Sequence, residues 1–149
     1  MANPFVHVEL NTNDVASAKK FYKGLFKWKL KDVKMGPTTY TMLDVGKGVG
    51  GGMMTKPMPE APYFWLSYVQ VDDVKKTIAK ARALGAQVIV DYKEVEGSGS
   101  LGIFADPSGA VLGVWQPRRK APAKRNRDHA AYRTSTDRPS ASSRRMRRR

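Results

Sequence analysis

Apolar and polar residues alternate over Phe5-Val6-His7-Val8-Glu9-Leu10, a segment rich in residues that favour extended backbone. The alternation predicts a strand with Phe5, His7 and Glu9 on one face and Val6, Val8 and Leu10 on the other, because successive strand side chains point to opposite sides. The period then changes. Val15, Ala18, Phe21, Tyr22 and Leu25 recur at helical spacing as the expected buried stripe, Lys19, Lys20 and Lys23 form the expected solvated face, and Asn13 or Asp14 is placed to cap the first turn. The helix is expected to end near Phe26. Three short strands follow over residues 27–33, 38–45 and 49–54, with Met35-Gly36-Pro37 and Gly46-Lys47-Gly48 as the turns between them.

Beyond a proline-rich connector, residues 55–62, the same β-α-β-β-β order begins again. A strand over 63–71 leads to a helix over 74–84 that Gly85 is placed to stop, and strands over 87–94, 101–105 and 111–116 complete the second set. Gly97-Ser98-Gly99 and Asp106-Pro107-Ser108-Gly109 are its turns. The repeat extends to single residues: Asn13-Asp14-Val15 corresponds to Asp72-Asp73-Val74, and Leu25-Phe26-Lys27 to Leu84-Gly85-Ala86. The predicted fold class is therefore α+β, two consecutive βαβββ units whose mixed sheets curl around a concave pocket with the helices outside. Leu66, Tyr68 and Gln70 are the second-unit counterparts of the His7 face, and Val111, Gly113 and Trp115 point inward from the last strand.

A chain of 149 residues fits one ordinary domain. Its net charge of +14 is very uneven. Residues 1–117 hold 14 Lys or Arg against 11 Asp or Glu, a net of +3, whereas residues 118–149 hold 13 against 2, a net of +11. After Arg118 the large apolar residues are Tyr132 and Met146, too few to offset the entropy of ordering the segment. The expected organisation is a domain over residues 3–117 and a disordered basic tail over 118–149. Clusters such as Arg144-Arg145-Met146-Arg147-Arg148-Arg149 suit sequence-independent nucleic-acid binding by counterion release, and equally an anionic surface. There is no cysteine, so thiolate chemistry and disulfides are excluded. No basic-then-apolar leader and no apolar run of about 20 residues is present, and a cytoplasmic protein without a transmembrane segment is expected.

The segments His7-Val8-Glu9-Leu10-Asn11-Thr12-Asn13-Asp14-Val15, Phe21-Tyr22-Lys23-Gly24-Leu25-Phe26-Lys27-Trp28, Val69-Gln70-Val71-Asp72-Asp73-Val74 and Asp106-Pro107-Ser108-Gly109-Ala110-Val111-Leu112-Gly113-Val114-Trp115-Gln116 together resemble the vicinal oxygen chelate superfamily. That superfamily includes glyoxalase I, extradiol dioxygenases and bleomycin-resistance proteins, and the resemblance covers the whole domain. Gly50-Gly51-Gly52 and the Gly-Val-Trp-Gln-Pro ending are similar to a bacterial glyoxalase-like subgroup. The resemblance implies a homodimer, and in metal-dependent relatives an ion held from strands one, four, five and eight. His7 matches the first of those positions, but the others fall on Gly51 or Gly52, Leu66 and Gly113, none of which ligates through its side chain. A catalytic divalent ion generally needs about three protein ligands. The expectation is therefore no cofactor and no family-type metal.

Chemistry without a metal centres on Glu9, since a carboxylate facing a partly apolar concavity has its charged form disfavoured unless it is paired. His7 beside it on the same face makes a candidate acid–base pair, with catalytic roles assigned to His7 and Glu9; a hydrogen-bonded pair that merely fixes the strand ends is the competing reading. Asn11 and Gln70 at the strand exits are candidates to orient a ligand's polar end, although local turn bonding also accounts for Asn11. Tyr40, Met54, Tyr68 and Trp115, with Phe64, offer aromatic and soft walls for a planar or apolar molecule, while Trp65 faces the other way, toward a helix. The missing side chains at Gly52 and Gly113 suggest ligand space where relatives hold metal. Three functions follow as expectations: a glyoxalase-like lyase or isomerase of unspecified substrate, a non-catalytic binder sequestering an aromatic or apolar compound, and a polyanion-associated protein acting through its tail.

Overall fold

A computed structural model describes residues 2–119. The tail beyond them, with its expected disorder and its polyanion clusters, lies outside the described residues. The chain runs β1 (Phe5–Thr12), α1 (Val15–Leu25), β2 (Lys29–Met35), β3 (Thr38–Asp44), β4 (Gly51–Thr55), β5 (Phe64–Gln70), α2 (Val74–Ala83), β6 (Gln87–Val95), β7 (Gly99–Ala105) and β8 (Val111–Pro117). This is the βαβββ order twice over, as predicted. The strands form one open, mixed sheet in the order β2-β3-β4-β1-β5-β8-β7-β6. The two units meet through antiparallel pairing of β1 with β5, so the first strand of each unit lies at the centre and β2 and β6 are the edges.

Both helices start on the predicted aspartates. Asp14 accepts a hydrogen bond from the Ser17 amide at 2.9 Å, and Asp73 accepts one from Lys76 at 3.0 Å, a cap worth about 1 kcal/mol each. Gly85, with φ of +99°, ends α2 in the left-handed conformation that glycine adopts without strain. Each helix covers the outer face of its own unit. Under α1, Leu10, Leu43 and Met53 are buried with Val15, Ala18, Tyr22, Trp28 and Leu30 against them; under α2, Val71, Val74, Ile78 and Val114 are buried with Val88 and Phe104. Burying a side chain such as Met53 or Ile78 completely contributes about 1.5–3 kcal/mol.

Two sequence expectations are corrected here. Phe21 and Leu25 do not face the core: they are 61% and 58% exposed, while Lys19 turns toward the sheet and pairs with Asp32 at 2.9 Å. At about 100° per residue the stripe through Val15, Ala18 and Tyr22 leaves Phe21 and Leu25 on its flank, so helical recurrence alone did not settle which side they take. Phe5 also leaves the His7 face. A register irregularity between them sets Phe5 opposite Val69 while His7 stands opposite Tyr68, and such an extra residue breaks simple alternation. Trp65 behaves as expected, lying edge-on to Tyr22 of α1 at 5.3 Å. Among the described residues no helix is long and apolar enough to cross a membrane.

Candidate functional site

Paired residues on neighbouring strands share a face, so the register defines rows across the concave side. One row runs Lys31, Met42, Gly52, Glu9 and Leu66; the next holds His7, Tyr68, Gly113 and Ile103. The register thereby brings together His7, Glu9 and Tyr68 from the central strands β1 and β5. Tyr40, from β3, completes the cluster. Its hydroxyl donates to Glu9 Oε2 at 2.9 Å and lies 2.6 Å from His7 Nε2. Tyr68, opposite His7 on β5, completes the surroundings, its ring edge-on to that of His7 with centroids 5.9 Å apart.

Burial dominates the electrostatics. It raises the Glu9 carboxyl above its ordinary value, an effect only partly offset by the hydrogen bond from Tyr40, by the polar groups of Asn11 and Tyr68 nearby and by the positive charge of Lys93. Burial lowers His7, favouring the neutral ring, and burial together with the charge of Glu9 raises both Tyr40 and Tyr68. Both phenols therefore stay protonated as hydrogen-bond donors. The chain His7–Tyr40–Glu9 has two proton arrangements. With Glu9 ionised, Tyr40 donates to it and accepts from His7 Nε2–H; with Glu9 protonated, the carboxyl donates to Tyr40, which donates to an unprotonated Nε2. A proton taken up at Glu9 is thus coupled to the tautomer of His7.

The expected ligand space at Gly52 and Gly113 is filled. A Cβ at Gly52 would collide with Cε1, Cζ and the hydroxyl of Tyr40, and one at Gly113 would lie 2.5 Å from Cδ1 and Cε1 of Tyr68. Interiors are close-packed, and the two rings occupy what the two glycines leave free. The residues at the family metal positions do not fit an ion: Leu66 is 2% exposed and apolar, and the two glycines are roofed by tyrosines. Among the described residues no three His, Asp or Glu side chains converge on one point.

The remaining candidates lie around this cluster. Asn11 is buried, its amide 3.5 Å from the Glu9 carbonyl, and Met54 stands opposite it on β4. Gln70 and Trp115 are paired one row beyond Tyr68 and Gly113, in line with Leu101 and Lys93. The sequence reading treated Tyr40 as a wall and passed over Lys93; the glycine at position 52 was the available sign that a large side chain covers it. A cleft of about 440 Å³ lined by Tyr92, Glu94, Glu96, Gln116, Arg118 and Arg119, among others, shares no residue with this cluster.

A curled sheet of paired βαβββ units, helices outside and polar groups gathered at the junction of its central strands, defines a class of small-molecule protein. A sequence profile of the glyoxalase/bleomycin resistance protein/dioxygenase superfamily matches residues 5–114, and the chain belongs to that superfamily. CFP32 of Mycobacterium tuberculosis, named as a candidate glyoxylase, is 36% identical over 117 residues, covering 75% of this chain and 45% of CFP32. The anthracycline biosynthesis protein DnrV of Streptomyces peucetius is 30% identical over 125 residues, covering 72% of this chain and 45% of DnrV. The chain thus spans under half the length of the curated relatives it matches. In fold it is similar to the hypothetical protein BH1468 of Bacillus halodurans (TM-score 0.64, 15% identity, 83% of this chain and 100% of that one). It is similar also to methylmalonyl-CoA epimerase of Mycobacterium tuberculosis (TM-score 0.59, 14% identity, 77% and 88%).

Proposed function

We propose that the chain binds a planar aromatic or apolar carbonyl compound on its concave face and acts on it as a lyase or isomerase by acid–base chemistry at Glu9, without the family's divalent ion. The observation that carries this reading is the Glu9 carboxyl at the centre of the sheet, held by Tyr40 at 2.9 Å with His7 a further 2.6 Å beyond that hydroxyl. A carboxyl that keeps its proton to higher pH is suited to protonate a carbonyl oxygen or to exchange a proton with the adjacent carbon, a role worth about 10²–10⁴ in rate. Met42, Met54, Tyr40 and Trp115 supply the soft and aromatic walls. The test is α-hydrogen exchange of α-tetralone in D₂O, followed by NMR with wild type and Glu9→Gln. The expected result is exchange above the buffer rate that falls at least about 10²-fold in the variant while binding persists. Equal exchange by both proteins overturns the role of Glu9.

A second reading, binding without turnover, is favoured by one observation: Tyr40 already donates to Glu9 Oε2 at 2.9 Å, taking up acceptor capacity that a substrate would need. One relative is named for anthracycline biosynthesis, and a polycyclic aromatic of that kind suits the same walls. Stoichiometric binding with exchange at the buffer rate decides for this reading.

We further propose a homodimer in the cytoplasm, the compartment suggested by the absence of cysteine. Phe21, Leu25, Phe26 and Trp65 form an exposed apolar surface around α1. Counting from the two capping aspartates, the counterparts of Phe21 and Phe26 in the second unit are Lys80 and Gly85, so the fold itself does not require aromatics there. The relatives, of whose length the matched segment is 45%, carry within one chain further sequence that a second copy would supply here.

A further inference from the structure

Lys93 belongs to neither of the two ion pairs among the described residues, Lys19–Asp32 and Arg82–Asp91. Its place in the register is well defined. It pairs with Leu101, Leu101 with Trp115 and Trp115 with Gln70, which sets Lys93 on the concave face at the edge of the second unit. Its neighbour Tyr92 faces the opposite side, where the Lys75 ammonium of α2 lies 4.6 Å from the ring centre. Asp91, at the register irregularity before it, also turns to α2 through Arg82.

On a flat sheet the four strand spacings from β6 to β1 would put Lys93 about 19 Å from Glu9. Charges that far apart in water are screened almost completely, since the Debye length is about 8 Å at physiological salt. Yet the positive charge of Lys93 acts on Glu9. The curl of the sheet brings this rim residue nearer to Glu9 than a flat sheet would, and the register keeps it in line with Leu101, Trp115 and Gln70 on the concave face. Lys31 stands at the far edge, in the row of Glu9 itself. Lys29 and Asp44, paired two positions from Lys31 and Met42, share this face, so with Lys31 and Lys93 at its rims and Glu9 at its centre it carries net positive charge whenever Glu9 is protonated.

We infer that the site takes a planar compound bearing a carboxylate or comparable acidic group, and that Lys93 is the specificity-determining residue that meets its charge. The inference rests on the proposed concave-face binding and adds the charge of the ligand to it. With the ring system against Trp115 and the acidic group at Lys93, the rest of the molecule extends toward Glu9. An exposed ammonium stays partly hydrated while it pairs and does so without the geometric demands of a guanidinium, which suits the rim of an open site.

The experiment compares 2-naphthoate with 2-naphthamide, a neutral molecule of nearly the same shape, by isothermal titration against the full chain. Wild type is expected to bind the carboxylate about tenfold more tightly, and Lys93→Gln to bring the two affinities together without weakening the amide. Because Lys93→Gln leaves the basic tail intact, any preference caused by the tail survives in the variant. A preference that survives overturns the inference. Equal binding of both probes by wild type overturns it too, while leaving concave-face binding standing. Failure of wild type to bind either probe removes concave-face binding and this inference together.

Discussion

Substituting Gly52 by alanine tests the packing on which the whole cluster depends. Gly52 has no positive φ, so its backbone accepts alanine without strain, and in a strand interior alanine would otherwise be slightly favourable. The obstacle is the Tyr40 ring. The new methyl group would interpenetrate three of its atoms, including the hydroxyl, so the ring must swing away and cannot relax by a few tenths of an ångström. Over-packing of this kind costs about 1–3 kcal/mol. Displacing the ring also breaks its contacts with His7 and Glu9, at about 1 kcal/mol for each hydrogen bond. Less the roughly 0.5–1 kcal/mol that alanine gains over glycine in a strand, the expected loss is about 2–4 kcal/mol, a large share of the 5–15 kcal/mol that holds a typical domain together. In a Tyr40→Ala background the obstacle is gone, and Gly52→Ala should cost less than about 0.5 kcal/mol. Urea unfolding of the four full-length proteins, followed by tryptophan fluorescence, measures this cycle. A Gly52→Ala protein as stable as wild type, or a cost unchanged by Tyr40→Ala, would show that Tyr40 does not roof the glycine and would remove the basis for the Glu9 network.

Stability should respond to pH through the same groups. Glu9 titrates higher in the folded chain than its ordinary value, so ionising it opposes folding: stability is full below about pH 4.5 and declines as pH rises through the folded value, by at most about 1.4 kcal/mol per pH unit. His7 titrates lower in the folded chain, so its contribution is present above pH 6.5 and is lost as pH falls through its folded value. Glu9→Gln should abolish the decline toward neutral pH in urea titrations, and a decline that persists in the variant refutes the assignment. For the proposed dimer, light scattering should report twice the chain mass, and Phe21→Lys, which copies Lys80 of the second unit, should yield monomers without loss of fold; a monomeric wild type discards the interface.

How much was legible in the sequence differs by level. The repeat was readable because its signals are local: Asp14 and Asp73 cap their helices through amides three residues away, and Gly85 stops α2 where it stands. Alternation put His7 and Glu9 on one face with Leu66 and Tyr68 as its second-unit counterparts, because each face of a strand is fixed by counting in twos, and the register pairs them across β1 and β5. It failed at Phe5, where one irregular step shifts the count, and on α1, where recurrence did not say which flank of the stripe meets the sheet. Tyr40 and Lys93 were beyond it for another reason. Tyr40 reaches Glu9 across 31 positions of sequence, and Lys93 stands on the same concave face at the edge of the second unit; both placements depend on sheet order and curl, which no local pattern contains.

The glycines were misread in an instructive direction. Taken singly, Gly52 and Gly113 signalled missing ligands and so empty volume. In a close-packed interior a missing side chain is more often the complement of a large neighbour. Here the complement appears once in each unit: Tyr40 of the first covers Gly52, and Tyr68 of the second covers Gly113. Tyr40 brings its hydroxyl to the Glu9 carboxyl on the central strand, and Tyr68 packs edge-on against His7 beside it. Where the resemblance places side chains that donate electron pairs to an ion, these residues present hydrogen-bond donors to an oxygen acid. The two arrangements differ in what they ask of a ligand. An ion binds oxygen atoms directly, whereas a carboxyl held by phenols exchanges protons and tolerates a variety of shapes above it. On the proposed reading, the charge at the rim, rather than any coordination at the floor, selects the ligand.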